Sequence, residues 1–344
     1  MTGNEFSVEI KNGESFPPVI DMHVHAIPES LLRKAAERET DGVSAARTDG
    51  GWLVTLPGAK PALVRSLMTD RERRLETAAS RGVSAQIVSP WLDVQLSAGM
   101  SEAQARSWAK RLNAALAETE GGAVLATVAV TGRAAADLSE AVEDGGAAGL
   151  VLSTSPPGAV DLADPVLEPV WESAEGLGVP ILLHPPTDGP SAAIPGSAEF
   201  GNALCRLVDT TFAVARLILS GVLDRHPGLR LITVHGGGFL PYQSMRVDGA
   251  HRADALRRYT IERDRPSDYL SDMYYDTVAL KPAAIRLLAE TAGTARVLLG
   301  SDYPFALGDP APAETVRAAG LSQADTAAVL GGNAARLFTT IWKG

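Results

Sequence analysis

Short apolar runs alternate along the chain with longer segments in which apolar residues recur three and four positions apart. The short runs have the length of buried strands, and the longer segments have the period of amphipathic helices. Eight strands separated by helices predict an α/β fold, a (β/α)8 TIM barrel. The predicted strands lie at 19–22, 84–89, 124–130, 148–153, 179–183, 229–234, 273–277 and 297–299.

Two stretches interrupt this alternation. Residues 27–61 separate the first predicted strand from a helix predicted over 63–81, and residues 187–198 are rich in proline, glycine and serine. Both follow the carboxyl end of a strand, the side on which barrel enzymes carry their active sites. Long loops in compact domains are usually functional. We therefore predict a single domain over 1–344, with 27–61 as an insertion near the active-site rim.

Composition narrows the class of protein. Of the 344 residues, 45% are hydrophobic and 21% are charged, which allows a large buried core. A formal net charge of −10 argues against nucleic acid as a partner, because nucleic-acid binding needs a basic face. No apolar window approaches the roughly 20 residues needed to cross a bilayer. One cysteine, Cys205, and the absence of a recognisable signal peptide in 1–18 favour the cytoplasm.

Histidines lie at the ends of the predicted strands. His23 and His25 are two positions apart, so in a strand their side chains point to the same side. His184 ends a later strand, His235 ends the next, and Asp302 follows the last. Because the strand ends of a barrel converge on one rim, three imidazoles and a carboxylate can surround one divalent ion. Zinc suits this set of ligands best, with manganese or iron as alternatives.

Each ligand candidate also has a structural interpretation when taken alone. His184 can be a hydrogen-bonded core histidine, and Asp302 can cap a helix. Their joint occurrence at strand ends favours the metal site. None of the six lysines lies at a predicted strand end, so neither a carbamylated lysine bridging two metals nor a Schiff-base lysine is expected. The site should therefore hold one ion.

Four motifs carry a family resemblance. DMHVHAIP, LLHPP, VHGGGFLPY and LGSDYPFALGD occur in this order, within a similarity that covers about 21–338. Together they resemble the decarboxylase branch of the amidohydrolase superfamily. The pattern is similar to that of aminocarboxymuconate-semialdehyde decarboxylase and its relatives, which include resorcylate and methylsalicylate decarboxylases.

The resemblance implies roles for individual residues. It implies that His23, His25, His184 and Asp302 bind the metal, and that His235 stands beside the ion as a proton-handling group. It also implies a homodimer. These are expectations for this chain.

Two further residues are candidates for substrate binding. The resemblance suggests that Arg246 binds a substrate carboxylate across a dimer interface, although a surface salt bridge would also explain it. The muconate enzyme has a second carboxylate-binding arginine after an aromatic residue, whereas residues 51–54 here read Gly-Trp-Leu-Val. Leu53 thus stands in place of that arginine. This departure favours a less acidic substrate, with Trp52 as a stacking wall.

Three functions are compatible with the predicted metal site. The first is a metal-dependent carboxy-lyase that decarboxylates a small aromatic or unsaturated carboxylate, with the metal as Lewis acid or hydroxide source and His235 or Asp302 carrying the proton. The second is a metal-dependent hydrolase of a lactone or amide, which would use the same ligands. The third, a non-catalytic metal-binding protein, fits less well because three nitrogens and one oxygen leave an open coordination position. The resemblance favours the first.

Overall fold

The structure is a computed structural model that describes residues 18–37, 40–253, 255–256 and 259–339. The strands are β1 (Ile20–His25), β2 (Ser44–Thr48), β3 (Gly51–Thr55), β4 (Ala62–Arg65), β5 (Ala85–Ser89), β6 (Leu125–Ala126), β7 (Gly149–Ser153), β8 (Pro180–His184), β9 (Arg230–Thr233), β10 (Tyr274–Asp276) and β11 (Val297–Leu298). The α-helices are α1 (Glu29–Ala36), α2 (Ser66–Thr69), α3 (Arg71–Ser80), α4 (Glu102–Glu120), α5 (Ala134–Glu143), α6 (Glu168–Leu177), α7 (Arg206–Leu219), α8 (Val222–Arg225), α9 (Leu240–Arg252), α10 (Pro282–Ala292), α11 (Pro312–Arg317), α12 (Gln323–Ala327) and α13 (Asn333–Leu337).

Eight parallel strands close into a ring. β1 pairs with β5, and β6 to β11 pair in sequence order. Two bridging pairs join these groups: Val88 with Val124, and Val24 with Tyr303. The ring confirms the predicted (β/α)8 barrel. β1 extends three residues further than the predicted strand 19–22, so both of its histidines belong to the strand.

The buried residues form two layers about this ring. Along β7 and β8, Val151 and Leu182 belong to a cluster drawn from strands all round the barrel, which fills its interior. The alternating Leu150 and Leu183 pack in a separate cluster with helical residues such as Trp171. This alternation follows from the two-residue period of a strand. It explains why the strands read as nearly continuous apolar runs, since both faces are buried.

β6 is shorter than the predicted strand 124–130. The side chain of Asn113 takes the place of a neighbouring strand at Thr127: its Oδ1 accepts from the Thr127 amide at 2.9 Å, and its Nδ2 donates to the Thr127 carbonyl at 2.8 Å. The ladder therefore stops at Ala126. The apolar residues at 124–130 give no indication that the side chain of Asn113 replaces strand pairing at Thr127.

The helix predicted over 63–81 is wrong at its first three residues, and the rest forms two helices, α2 and α3. Ala62–Arg65 is a strand because it pairs with β3, with Trp52 opposite Val64. Helix α2 begins at Ser66, and α3 begins at Arg71, where the Asp70 carboxylate accepts from the amide of Arg73 at 3.0 Å. The predicted insertion 27–61 accordingly contains α1, β2 and β3, and β4 just beyond it completes an antiparallel sheet in the order β2-β3-β4.

No helix in the described part of the chain is long and apolar enough to cross a membrane.

Two adjacent leucines of α10 provide a test of the packing. Leu288 is fully buried, whereas Leu287 is 44% exposed. We expect Leu288→Ala to lower the free energy of unfolding by about 2 to 5 kcal/mol, because it leaves a cavity beneath the helix. The matched control, Leu287→Ala, should lower it by less than about 1 kcal/mol. Urea unfolding of both variants gives the comparison, and equal losses would contradict the packing described.

Candidate metal centre

Five polar side chains meet at the carboxyl end of the barrel. His23 and His25 project from β1, His184 ends β8, His235 follows β9, and Asp302 follows β11. All are at most 9% exposed. The structure therefore brings together every residue that the sequence predicted for the metal site and its proton-handling partner.

Three of their atoms have the mutual spacing of ligands to one ion. The Nε2 atoms of His23 and His25 are 3.1 Å apart, and Asp302 Oδ1 lies 3.3 Å and 3.2 Å from them. Atoms bound at about 2.1 Å to one cation lie roughly 3 to 3.5 Å from each other. Asp302 Oδ1 nevertheless has no hydrogen bond of good geometry within the described residues. Asp302 Oδ1 therefore lies close to both imidazoles but accepts no hydrogen bond from either of them.

Hydrogen bonds on the far sides of the rings fix the tautomers of two histidines. Nδ1 of His23 lies 2.6 Å from Asp276 Oδ2, and Nδ1 of His184 lies 2.9 Å from the carbonyl oxygen of Pro185. Both acceptors require a proton on Nδ1. Each Nε2 is then left with a lone pair. The Nε2 of His184 is buried and has no partner in the described chain.

The hydrogen bonds of His25 fix its tautomer in the same way. Nδ1 of His25 lies 3.2 Å from Ser89 Oγ. The single hydroxyl proton of Ser89 is donated to the carbonyl of Val24 at 3.3 Å, so the hydroxyl accepts from His25. Three buried Nε2 lone pairs thus face the ionisable carboxylate of Asp302. Electron-pair donors that face one another in this way need a cation between them.

His235 approaches the other carboxylate oxygen. Its Nε2 lies 3.6 Å from Asp302 Oδ2, whereas His23 and His25 lie beside Oδ1. One donor atom each from His23, His184, His235 and Asp302 nonetheless falls within 4.8 Å of the others. Distance alone would therefore admit either His25 or His235 as a ligand. The shared proximity to Oδ1 favours His25.

The pKa shifts of these groups favour the binding of a cation. Burial opposes ionisation of Asp302, but His23 and His235 outweigh it and hold the pKa of this carboxyl well below its usual range. Burial and the neighbouring imidazoles lower the pKa of His184 far below its usual value, and burial also lowers the pKa of His25. Burial lowers the pKa of His23, but Asp302 and Asp276 outweigh it and raise that pKa above its usual value. A cation that binds here would therefore displace a proton from His23, whereas His25 and His184 already favour the neutral form that metal binding requires.

Backbone strain concentrates at the same place. His235, Leu280 and Asp302 have φ of 55°, 60° and 58°, and they are the non-glycine residues with left-handed backbone in the described chain. All three line one cavity. Such conformations cost about 1 to 3 kcal/mol each and persist where the surrounding structure imposes them, commonly at functional sites.

Glycines allow the close approaches around the site. Residues 236–238 follow His235 with φ of 61°, 77° and 67°, and a Cβ at Gly238 would lie 2.5 Å from the carbonyl oxygen of Leu207. A Cβ at Gly300 would lie 2.9 Å from the Cβ of His23. These contacts explain the HGGG and LGSD motifs physically, since only glycine fits.

A cavity of about 440 Å³ opens beside His235 and Asp302. Its remaining lining is mostly apolar, and its polar side chains include Arg206 and Tyr242. Burial raises the pKa of Tyr242 to about 12, so its hydroxyl stays protonated. The volume fits a small organic molecule. The apolar walls are formed by Ala203, Leu207, Phe239, Val278, Ala279, Leu280, Ala284 and Leu307.

Sequence reasoning missed several contributors. Asp276 is the penultimate residue of the predicted strand 273–277, on the same rim as the histidines, so its position was a usable signal. Ser89 is also the last residue of its strand. Arg206 opens a long helix, and the sequence holds no sign that its side chain reaches the cavity.

The two predicted substrate-binding residues lie elsewhere. Trp52 is 6% exposed and packs in an apolar cluster of the insertion, with the Arg47 guanidinium 5.3 Å from its ring centre. Arg246 is exposed on α9 and does not line the cavity of its own protomer. The roles assigned to Trp52 and Arg246 stay predictions.

The insertion nevertheless reaches the rim. A second cavity, of about 600 Å³, is lined by Lys60 of the insertion together with Trp91, Ser153 and Thr187, which follow or end barrel strands. Lys60 also donates to Asp188 at 3.1 Å. The long segment after β1 therefore contacts the loop after β8 at this end of the barrel.

Comparison with known proteins extends this description. The amidohydrolase family model matches residues 20–340. Over 180 residues the chain is 28% identical to 2-amino-3-carboxymuconate-6-semialdehyde decarboxylase of Dictyostelium discoideum, covering 51% of this chain and 48% of that one. Over 183 residues it is 33% identical to gamma-resorcylate decarboxylase of Rhodococcus jostii, covering 51% and 54%. The chain thus spans about half the length of these curated relatives.

A solved structure covers more of the chain. The dihydroxybenzoic acid decarboxylase of a Polaromonas species, solved with bound manganese and the inhibitor 2-nitroresorcinol, superposes with a TM-score of 0.74. The two chains are 25% identical, and the superposition covers 94% of this chain and 97% of that one.

The contact between Asp276 and His23 gives a prediction. Asp276→Asn weakens the partner that orients the ring, so we expect metal affinity to fall about 10- to 100-fold. Competition with a chromophoric chelator measures this. Asp272→Asn is the matched control, because Asp272 precedes the same strand and pairs with Arg263. Equal affinities for Asp276→Asn and the unmodified protein would contradict the orienting role.

Proposed function

We propose that this chain, which belongs to the amidohydrolase family, is a metal-dependent decarboxylase acting on a small aromatic or unsaturated carboxylate. The observation that carries the proposal is the set of three buried Nε2 atoms facing an ionised carboxylate, beside a mostly apolar cavity. The Dictyostelium and Rhodococcus relatives are named as decarboxylases of such acids, which supports the same reaction.

In this proposal one divalent ion is held by His23, His25, His184 and Asp302. We propose zinc, which favours three imidazoles and a carboxylate, with manganese as the alternative because the Polaromonas enzyme carries it. When bound, such an ion acts as a Lewis acid on a substrate oxygen or as a source of hydroxide.

We assign the proton transfer to His235 and Asp302. Loss of CO2 breaks a carbon–carbon bond and leaves the electron pair on carbon, which must then receive a proton. His235 lines the cavity, and its Nε2 lies 3.6 Å from Asp302 Oδ2, so a proton held there is next to both the carboxylate and the substrate space. Apolar side chains, including Phe239 and Val278, form most of the walls of the same cavity.

We further propose a homodimer in the cytoplasm. Helices α7 and α9 contact each other and expose Phe212 and Met245, which are 72% and 70% exposed. A second copy on this face would cover them and would bring its Arg246 towards the neighbouring cavity. Trp52 keeps its proposed role as an aromatic wall only if the insertion moves, because its ring is buried at present.

The first experiment measures metal content by mass spectrometry and CO2 release from hydroxybenzoates and dienoic carboxylates. We expect about one equivalent of metal and CO2 release that stops when a chelator is added. His184→Ala should lose both, whereas the control His251→Ala, outside the cavity, should keep both. Cleavage of a lactone or amide without CO2 release would instead support the hydrolase alternative.

The role of His235 is tested separately. We expect His235→Asn to lower turnover about 10²- to 10⁴-fold, because the proton donor is lost, while metal content stays at one equivalent. Steady-state kinetics and metal analysis of the same preparation provide the two values. Loss of the metal from His235→Asn would contradict the assignment and would make His235 a ligand.

A further inference from the structure

Arg206 is a buried cation in the wall of the cavity that holds His235 and Asp302. It is the first residue of α7, and its side chain is 8% exposed. Arginine is rarely buried without a partner of opposite charge. Its surroundings therefore indicate what the cavity is built to bind.

The guanidinium is fixed by neutral groups. One Nη donates to the carbonyl oxygen of Pro185 at 3.2 Å, and the other donates to Thr187 Oγ1 at 2.6 Å. Both acceptors belong to the loop that directly follows His184. The Nε of Arg206 is buried and has no hydrogen-bond partner in the described residues.

No described carboxylate forms an ion pair with this charge. The contrast with Arg74, which is 1% exposed, is informative: its guanidinium pairs with Glu120 and donates to Gln86. A buried charge without a counterion is costly, and removing one partner of a buried pair is strongly destabilising. Arg206 thus lacks the counterion that Arg74 has within the protein.

We propose that the counterion is the substrate, and that Arg206 binds its carboxylate in the cavity of the same protomer. A planar guanidinium matches a carboxylate through paired N–H donors, and Nε is the donor that the protein leaves free. This inference rests on the proposed function and names its substrate class as anions. Arg206 of α7 would thus provide the positive charge that residues 51–54, which contain no arginine, do not provide.

A binding experiment tests this without relying on turnover. Calorimetry compares salicylate with salicylamide, which have the same ring and differ in the charge of one group, on metal-loaded protein. We expect the unmodified protein to prefer salicylate by about tenfold or more, and Arg206→Met to lose about tenfold of that preference. Arg206→Lys keeps the charge without the planar fork and should keep part of the preference.

Two controls separate this role from others. Arg216→Met removes an arginine from the same helix that pairs with Asp161, and it should leave the preference unchanged. Arg246→Met tests the competing arginine. Metal content is measured for each variant, so a purely structural effect of Arg206 on the loop after His184 would appear as metal loss.

Each outcome is decisive. An unchanged preference in metal-loaded Arg206→Met, or its loss in Arg246→Met instead, would overturn the proposal. So would a failure of the unmodified protein to prefer the anion. If Arg206→Met does not fold, Arg206→Lys serves as the test. A preference for salicylate as large as that of the unmodified protein would then contradict binding through the planar guanidinium. Absence of CO2 release would contradict the proposed reaction and leave this binding result standing.

Discussion

An ionised carboxylate buried at the centre of a protein needs positive charge around it, and Asp302 imposes this requirement on the barrel rim. Its pKa is held well below the usual range by His23 and His235, against the effect of burial. The imidazoles nearest to Oδ1 direct their Nε2 atoms towards it, because their Nδ1 protons are donated outward. A divalent cation satisfies the carboxylate and the imidazoles at once, so the site is arranged around an ion.

The fold supplies this arrangement at a cost in backbone strain. Strand ends from β1, β8, β9 and β11 meet at one rim, which places ligands from distant parts of the chain within a few ångströms. His235 and Asp302 reach their positions only in left-handed backbone conformations. The glycines after His235 and before Asp302 remove the side chains that would otherwise clash. Strain at such positions is maintained because the packed barrel leaves no alternative.

The sequence predicted the barrel and the five residues at its centre, because strand ends and histidine spacing are local signals. It did not predict what depends on neighbours in space. The helix predicted over 63–81 was wrong at 63–65, because pairing with β3 makes these residues part of a strand. Arg206 was missed because its importance comes from being buried without a carboxylate partner, which only the packed structure reveals. Trp52 was predicted as a stacking wall for the substrate, and its ring is buried in an apolar cluster of the insertion.

Charge also explains how an acidic protein can bind an anion. The net charge of −10 is spread over the chain, whereas within the cavity an ion and Arg206 would outweigh the single carboxylate of Asp302. Local charge in a low-dielectric wall matters more to a small ligand than the diffuse surface field. The apolar lining strengthens this effect, because apolar side chains screen charge less than water does.

The most direct test of the central claim is anomalous X-ray diffraction from crystals of the purified protein, recorded at the zinc and manganese absorption edges. The account predicts one anomalous peak about 2.0 to 2.3 Å from Nε2 of His23, His25 and His184 and from Asp302 Oδ1. A peak bound by His235 in place of His25 would contradict the proposed ligands. No peak at this rim would contradict the account as a whole.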